Sequence, residues 1–294
     1  MVGGYFTGNY FYNLVFNPNS DNELIFLAPP NPERTKAQWD EWIQKVTYKE
    51  VNAHSFDQLI LHSYLIENRS PSDIWVIIFH GYAEDATNMT YAAESFYNIG
   101  YNVLLPDLRG NGKSEGNYYG LGWHDRLDVI TWIQYINERY PDQKIILYGF
   151  ASGASAIMMA SGESLPENVM LMIADSGYTS IYDECAYQLE VSFNLPAFPF
   201  LNFTDYITLL NADFSIKEAS SVMQLQKSIT PILFIHGDKD TVVPVEMVHQ
   251  LYASTTAEKE LLLIPGADHG ESATNNSSLY WSTIKEFIQK YLDR

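Results

Sequence analysis

YGFASGAS, residues 148–155, is the stretch that decides the fold. The apolar run KIIL precedes it and the pattern AIMMASG follows it, so a buried strand turns sharply into a helix here. Gly149 and Gly153 suit this turn, because strand and helix approach each other too closely for larger side chains. The residue at the tip of such a turn projects its side chain above the sheet edge, and at that position the sequence has Ala151.

The same alternation of strand and helix extends outward from this turn. Helical patterns separate further apolar runs that suit strands buried on both faces: IWVIIF (74–79), YNVLLP (101–106), VMLMIAD (169–175), PILFIHG (231–237) and ELLLIPG (260–266). Two earlier strands, TYKEV and LILHSYLI, lie within residues 47–66. The pattern predicts an α/β fold with a mostly parallel central sheet and helices on both faces. Within the helical pattern 123–140, the apolar residues spaced by three predict a buried stripe of Leu127, Ile130, Ile133 and Ile136.

One segment interrupts the alternation. Residues 177–228 contain no clear strand pattern, and a small helical cap over the carboxyl ends of the strands is the favoured interpretation. The alternative is a single, unusually long crossover helix. We expect an N-terminal extension over residues 1–45 and one α/β domain over residues 46–294, with the cap inserted at about 177–228.

Composition excludes several classes of function. The 294 residues carry a net charge of −19, which repels phosphate backbones and makes a nucleic-acid partner unfavourable. The single cysteine, Cys185, allows neither an intramolecular disulfide nor a cysteine-rich zinc site, and its helical setting is unsuited to a nucleophile. No run of roughly 18 apolar residues occurs that could span a membrane.

The aromatic N-terminal segment, residues 5–16, has two interpretations. It is either a helix that lies on the core, or an aromatic belt beside a membrane anchor that this sequence lacks. The helix on the core is compatible with a cytoplasmic location. The aromatic belt predicts membrane attachment and an extracytoplasmic location for the anchored protein. The oligomeric state is not indicated by any pattern.

Two further strand ends carry turns that suit chemistry. In FHGYA, His80 and Gly81 follow a buried strand, and the tight turn makes the backbone N–H of Tyr82 a candidate donor to a developing oxyanion. The segment PDLRGNGKS, residues 106–114, lacks the glycine spacing of a phosphate-binding loop. We therefore predict that it is a structural loop that supports the neighbouring turns.

Late loops supply a candidate acid and base. His269 is the histidine that lies in a loop after the last strand, where a base can reach the tip of the 148–155 turn. Asp238 and Asp240 both lie in the loop after the preceding strand, and Asp175 ends another strand. Chain position alone leaves the choice among these carboxylates open.

The motifs together resemble the α/β-hydrolase superfamily, within it bacterial serine esterases and prolyl-oligopeptidase-like hydrolases. They are FHGYAED, PDLRGNGKSEG, YGFASGAS, ADSGYTS, FIHGDKDTVVP and GADHG, in this order over nearly the whole chain. The resemblance implies Asp240 as the catalytic acid, His269 as the base, and the N–H groups of Tyr82 and Ser152 as oxyanion donors. It implies hydrolysis of a small-molecule ester, or alternatively an amide or peptide, without metal or organic cofactor. The departure is Ala151, where the family has serine.

Three explanations of Ala151 remain. The favoured one is an engineered replacement of serine, because the other parts needed for acyl transfer are retained. The second is a natural protein without catalysis, which would act as a small-molecule binder. The third is that Ser152 or Ser155 supplies the nucleophile, although neither occupies the tip of the turn.

Overall fold

The computed structural model describes residues 2–20 and 35–292, and within them the strands and helices alternate along the chain. The strands are β1 (Lys49–His54), β2 (Ile60–Ile66), β3 (Ile74–Phe79), β4 (Asn102–Pro106), β5 (Lys144–Phe150), β6 (Val169–Asp175), β7 (Ile232–Gly237) and β8 (Lys259–Ile264). The helices are α1 (Val2–Phe16), α2 (Lys36–Ile43), α3 (Thr90–Ile99), α4 (Asp125–Arg139), α5 (Ser152–Ala160), α6 (Ile181–Phe193), α7 (Ala197–Ala212), α8 (Ser221–Leu225), α9 (Val245–Ser254), α10 (Ser272–Asn275) and α11 (Ser277–Leu292). A short 3₁₀ turn, Ala86–Met89, precedes α3.

The strands form one sheet in the order β1-β2-β4-β3-β5-β6-β7-β8. β2 pairs antiparallel with both β1 and β4, and the strands from β4 to β8 run parallel. The carboxyl ends of the parallel strands therefore meet at one edge, where the loops after β3, β5, β7 and β8 can share a site. The predicted α/β architecture is confirmed.

Both faces of the sheet are covered, because alternate side chains of each strand point to opposite sides. In β3, Val76 and Ile78 belong to the hydrophobic cluster under α2, α3 and α11, whereas Trp75, Ile77 and Phe79 join the cluster under α4, α5 and α9. This double burial explains why the parallel strands are continuous apolar runs in the sequence.

The predicted stripe on α4 is partly wrong. Leu127 and Ile130 are only half-buried, and the buried face of α4 includes Asp128, Trp132 and Ile136. A spacing of three drifts around a helix that has 3.6 residues per turn, so a strict three-residue repeat cannot follow one face. Asp128 lies on the buried face because Arg109 pairs with it.

The segment between β6 and β7 contains the three helices α6, α7 and α8. The first two share a hydrophobic cluster with α1, whose Phe11 and Phe16 are buried there together with Leu189 and Ile207. The contact between α1 and α7 is close, since a Cβ atom added to Gly8 would lie 2.3 Å from the carbonyl oxygen of Phe203. The aromatic N-terminal segment is thus a helix packed on the helices above the strand ends.

Part of this helical layer is apolar on its outer side. On α1 the side chains of Tyr5, Phe6 and Tyr10 are exposed, and on α7 those of Tyr206 and Leu210 are exposed. Within the described residues, none of the helices combines the length and the apolar character needed to cross a bilayer.

Candidate active site

The turn after β5 holds Ala151 in a strained conformation. Its φ of 48° and ψ of −111° lie where a residue with a Cβ atom is disfavoured, at a cost of about 1–3 kcal/mol. The backbone N–H of Ala151 donates to the carbonyl oxygen of Asp175 at 2.8 Å, which ties the turn to the end of β6. Strain of this kind persists only where the surroundings impose it, so the position of the Ala151 side chain is imposed by the fold.

The two glycines beside Ala151 are required by space. A Cβ atom on Gly149 would lie 2.4 Å from the carbonyl oxygen of Gly153, and one on Gly153 would lie 2.4 Å from that of Phe79. Both distances are far shorter than a van der Waals contact. The predicted supporting role of Gly149 and Gly153 agrees with this crowding.

The loops after β7 and β8 bring Asp240 and His269 together. Nδ1 of His269 lies 2.8 Å from Oδ2 of Asp240, and Oδ1 of Asp240 accepts hydrogen bonds from the N–H groups of Val242 and Val243. Burial alone would raise the pKa of Asp240, but His269, His236 and the N–H of Val243 outweigh it and hold this pKa below its ordinary value. An ionised Asp240 requires the proton on Nδ1 of His269, which leaves Nε2 as an acceptor.

The other carboxylates have different partners. Asp238 accepts a hydrogen bond from the N–H of Gly266. Asp175 accepts one from the hydroxyl of Tyr280 at 2.7 Å. The structure therefore selects Asp240 among the three carboxylates that chain position left open.

The histidines beside the site, His80 and His236, hold neighbouring turns. The ring of His80 joins the turn after β3 to the loop after β4, because its Nε2 accepts from the N–H of Leu108 and its Nδ1 lies 2.8 Å from the carbonyl oxygen of Gly81. His236 is fully buried, and burial lowers its pKa. Its Nε2 lies 2.8 Å from the carbonyl oxygen of Val243, so it steadies the loop that carries Asp240.

The loop 106–114 wraps around the buried carboxylate of Asp107. This carboxylate lies 2.8 Å from Nδ1 of His62 and accepts from the N–H groups of Ala86 and Lys113. Next to it, the fully buried Arg109 makes a two-point ion pair with Asp128 at 2.7 and 2.8 Å. The prediction of a structural loop is correct: its polar groups are engaged within the protein.

A small cavity of about 50 Å³ joins the predicted residues. Its lining includes Tyr82, Ala151, Ser152 and His269, together with the carboxyl-bearing residues Glu84 and Glu184. Of the aromatic residues between β6 and β7, Tyr178 belongs to the lining, whereas Tyr182, Phe193 and Phe200 do not. The cavity thus brings Tyr82, Ser152 and His269 to the side chain of Ala151.

Two residues of the cavity lining, Glu184 and Glu84, were not among the site residues predicted from the sequence. Glu184 lies in the helix that carries Cys185, and Glu84 follows the predicted oxyanion turn. The signal available for Glu184 was its position four residues before Gln188 in one helical pattern. Within the described ranges, no group of three or more His, Cys, Asp or Glu residues is arranged to hold a metal ion.

Known proteins resemble this chain in sequence and in architecture. Residues 70–194 match the model of the family described as Serine aminopeptidase, S33. The Pyrococcus furiosus esterase Pf2001 superposes with a TM-score of 0.69 at 23% identity, covering 90% of this chain and 95% of that one. The chain therefore has the α/β-hydrolase fold, and its residues 70–194 resemble that family.

Two more proteins are similar to this chain. The uncharacterised protein YqkD of Bacillus subtilis is 26% identical over 281 residues, which are 95% of this chain and 90% of YqkD. The acylaminoacyl peptidase of Pyrococcus horikoshii has a TM-score of 0.64 at 18% identity, and the match covers 86% of this chain and 43% of that enzyme. Together with the family match over residues 70–194, these similarities support the general class of a hydrolase.

Proposed function

We propose that this α/β hydrolase is a serine carboxylic-ester hydrolase whose nucleophile position, residue 151, holds alanine. The observation that carries the proposal is the placement of Ala151 and His269 on one cavity, with Asp240 hydrogen-bonded behind His269. In this form the protein binds its substrate and does not turn it over, because a methyl group cannot form the acyl bond.

With serine at position 151, each residue has a defined step. The serine Oγ attacks the ester carbonyl while Nε2 of His269 takes its proton, and Asp240 stabilises the resulting imidazolium. The N–H groups of Tyr82 and Ser152 would bind the oxyanion. Collapse breaks the bond to the alcohol, which leaves with the proton from His269. A water molecule then gives a proton to His269 and attacks the acyl group. The second collapse breaks the bond to the serine Oγ, which takes the proton back from His269 as the acid is released.

The neighbouring serines are weaker candidates for the nucleophile. Ser155 is fully buried, and its Oγ accepts a hydrogen bond from the N–H of Tyr178 at 3.1 Å. Ser152 begins α5, so its N–H rather than its side chain suits the oxyanion. Position 151 alone combines the strained turn with a place on the cavity next to His269.

The experiment is to compare the protein with its Ala151→Ser variant on p-nitrophenyl esters of short and medium acids. We expect turnover to rise by roughly 10⁴–10⁶-fold in the serine form, and a fluorophosphonate probe to label only that form. The double variant Ala151→Ser/His269→Ala is the control, and it should lose the gain. Equal activity of the alanine and serine forms would refute the proposal.

Amide or peptide hydrolysis is the second candidate. It is favoured by the match to a family described as a serine aminopeptidase and by the carboxyl group of Glu84 on the cavity, which suits an amino group. The Ala151→Ser variant assayed on matched esters and anilides of the same acid would separate the two activities. If the serine variant neither reacts with the fluorophosphonate probe nor hydrolyses any of these substrates, a non-catalytic binder would be favoured instead.

We also propose that the protein attaches to a membrane surface through α1 and α7. Helix α1 contains no charged residue, α7 contains only Asp205, and Phe6 and Leu210 are 67% and 59% exposed. An uncharged aromatic face suits the interface of a neutral bilayer.

The experiment for this attachment is sedimentation with phosphatidylcholine vesicles. The protein should sediment with them, and the double variant Phe6→Ser/Leu210→Ser should not. The control is Ile229→Ser, at a residue 90% exposed elsewhere. Equal sedimentation of all three proteins would refute the attachment.

A further inference from the structure

The carboxyl group of Glu184 is only half satisfied. The residue lies in the first turn of α6, is 2% exposed and lines the cavity that holds Ala151. Its Oε1 accepts a hydrogen bond from Nε2 of Gln188 at 3.0 Å, whereas its Oε2 has no partner among the described residues. A buried polar atom without a partner costs free energy, so this oxygen requires an explanation.

The carboxyl group is also held in place. The Nε2 of Gln188 donates a second hydrogen bond, to the carbonyl oxygen of Val242 at 2.9 Å. Val242 itself donates its N–H to Asp240, so Glu184 is tied through Gln188 to the loop that carries the acid. With Oε1 fixed in this way, Oε2 is the remaining binding atom of a residue that lines the cavity.

The surroundings of Glu184 favour its neutral form. Burial, followed by the negative charges of Asp240 and Asp183, raises its pKa to about 8 against the opposing hydrogen bond from Gln188. Because Oε1 accepts from Gln188, the proton of the neutral carboxyl belongs on Oε2, which is then a donor. The other ionisable groups near Glu184, or across the cavity from it, are Tyr178, Cys185, Tyr187, Tyr82, Glu84 and His269.

The remaining charges limit the ligand. No Lys or Arg lines the cavity within the part of the chain that the structure describes, and Glu84 adds a second carboxyl group to its wall. An anionic substituent would meet acids on two sides without a compensating cation. The complementary group is a neutral oxygen that accepts a hydrogen bond.

We propose that Glu184 determines specificity by donating a hydrogen bond from Oε2 to a neutral oxygen on the acyl part of the substrate, such as a hydroxyl, ether or keto oxygen. The substrate class is an ester of an oxygen-substituted acid. This inference rests on the proposed function and adds the recognition of the acyl group to it.

The test compares two p-nitrophenyl esters of equal length, the methoxyacetate and the butyrate, in the Ala151→Ser background. Glu184→Leu should lower kcat/KM for the methoxyacetate by about 10-fold, mainly through KM, and leave the butyrate within about 3-fold. Glu184→Gln keeps an N–H donor and should retain most of the preference for the methoxyacetate. Glu190→Gln, at an exposed residue of the same helix, is the control.

The pH profile gives a readout that a purely structural role would not produce. Above pH 8 Glu184 loses its proton and can no longer donate, so the preference for the methoxyacetate should fall there. In Glu184→Gln, which has no proton to lose, the preference should stay constant over the same range. A preference that is unchanged in Glu184→Leu, or equal losses on both esters, would overturn the proposal.

Binding separates this proposal from the proposed function. The Ala151 protein can be titrated calorimetrically with methyl methoxyacetate and methyl butyrate, with and without Glu184→Leu, and no turnover is required. If the serine variant is inactive but Glu184→Leu removes the stronger binding of the methoxyacetate, only the proposed function fails. If neither protein distinguishes the two esters, the role of Glu184 fails.

Discussion

Nδ1 of His269 lies 2.8 Å from Oδ2 of Asp240, although 29 residues separate them in the chain. The contact exists because β7 and β8 are parallel neighbours, which places the loops after them side by side. It fixes the tautomer of His269 and directs Nε2 away from Asp240.

The first prediction concerns this pair. In the Ala151→Ser background, Asp240→Asn should reduce kcat by roughly 10³–10⁴-fold, because an amide neither fixes the imidazole tautomer nor stabilises its cation. The matched control is Asp238→Asn in the same loop, which we expect to change kcat by less than about 3-fold. Steady-state kinetics on a p-nitrophenyl ester measures both, and equal losses would contradict the assignment of Asp240.

The second prediction concerns the tie between Tyr82 and α1. The hydroxyl of Tyr82 donates to the carbonyl oxygen of Val15 at 2.8 Å. Tyr82→Phe should lower the free energy of unfolding by about 1 kcal/mol, the usual value of one hydrogen bond. In the serine form it should leave kcat within about 3-fold, since the proposed oxyanion donor is the backbone N–H. A much larger fall in kcat would assign the hydroxyl itself to catalysis.

The third prediction concerns crowding at the turn. Gly153→Ala gains up to about 1 kcal/mol of helix propensity, but its Cβ would lie 2.4 Å from the carbonyl oxygen of Phe79. The clash should dominate and destabilise the protein by about 1–3 kcal/mol. Gly3→Ala in α1, where a Cβ meets nothing within 4 Å, is the control and should change stability by less than about 0.5 kcal/mol. Urea unfolding distinguishes the two.

The fourth prediction concerns the strain at Ala151. Ala151→Gly should stabilise the protein by about 1 kcal/mol, because the relief of a strained φ exceeds the extra entropy of glycine in the unfolded chain. Ala154→Gly, in the unstrained helix that follows, should destabilise it by a similar amount. Thermal unfolding of both variants checks the opposite signs; destabilisation by Ala151→Gly would show that the turn is relaxed.

The fifth prediction concerns acid stability. Burial would raise the pKa of Asp107, but His62, His80 and the N–H groups of Ala86 and Lys113 lower it below the ordinary value of 3.8. A carboxylate whose folded pKa is depressed stabilises the protein above its unfolded pKa, and this contribution is lost as pH falls through the folded pKa. Asp107→Asn should therefore cost about 3 kcal/mol at pH 7 and progressively less below pH 4.

The matching control for acid stability is Asp40→Asn, at an exposed residue of α2. Its free energy of unfolding, measured by urea titration between pH 3 and pH 7, should follow that of the parent protein. A cost of Asp107→Asn that stays constant over this range would show that its effect is steric rather than electrostatic.

The amino-acid sequence by itself determined the architecture. Continuous apolar runs predict parallel strands buried on both faces, and helical patterns between them predict the covering layers. It also marked the turn at Ala151 and placed the candidate base at His269, because glycine spacing and strand ends are local features that neighbouring residues dictate.

The tertiary structure decided what depends on distance between remote residues. Only the folded chain distinguishes Asp240 from Asp238, since both follow β7 and just one of them meets His269. Only it places the carboxyl group of Glu184 on the cavity with one oxygen unsatisfied, because the cavity lies between helix α6 and the loops that follow the strands. Local sequence patterns report burial and turns, whereas a site between separate elements follows from how those elements pack.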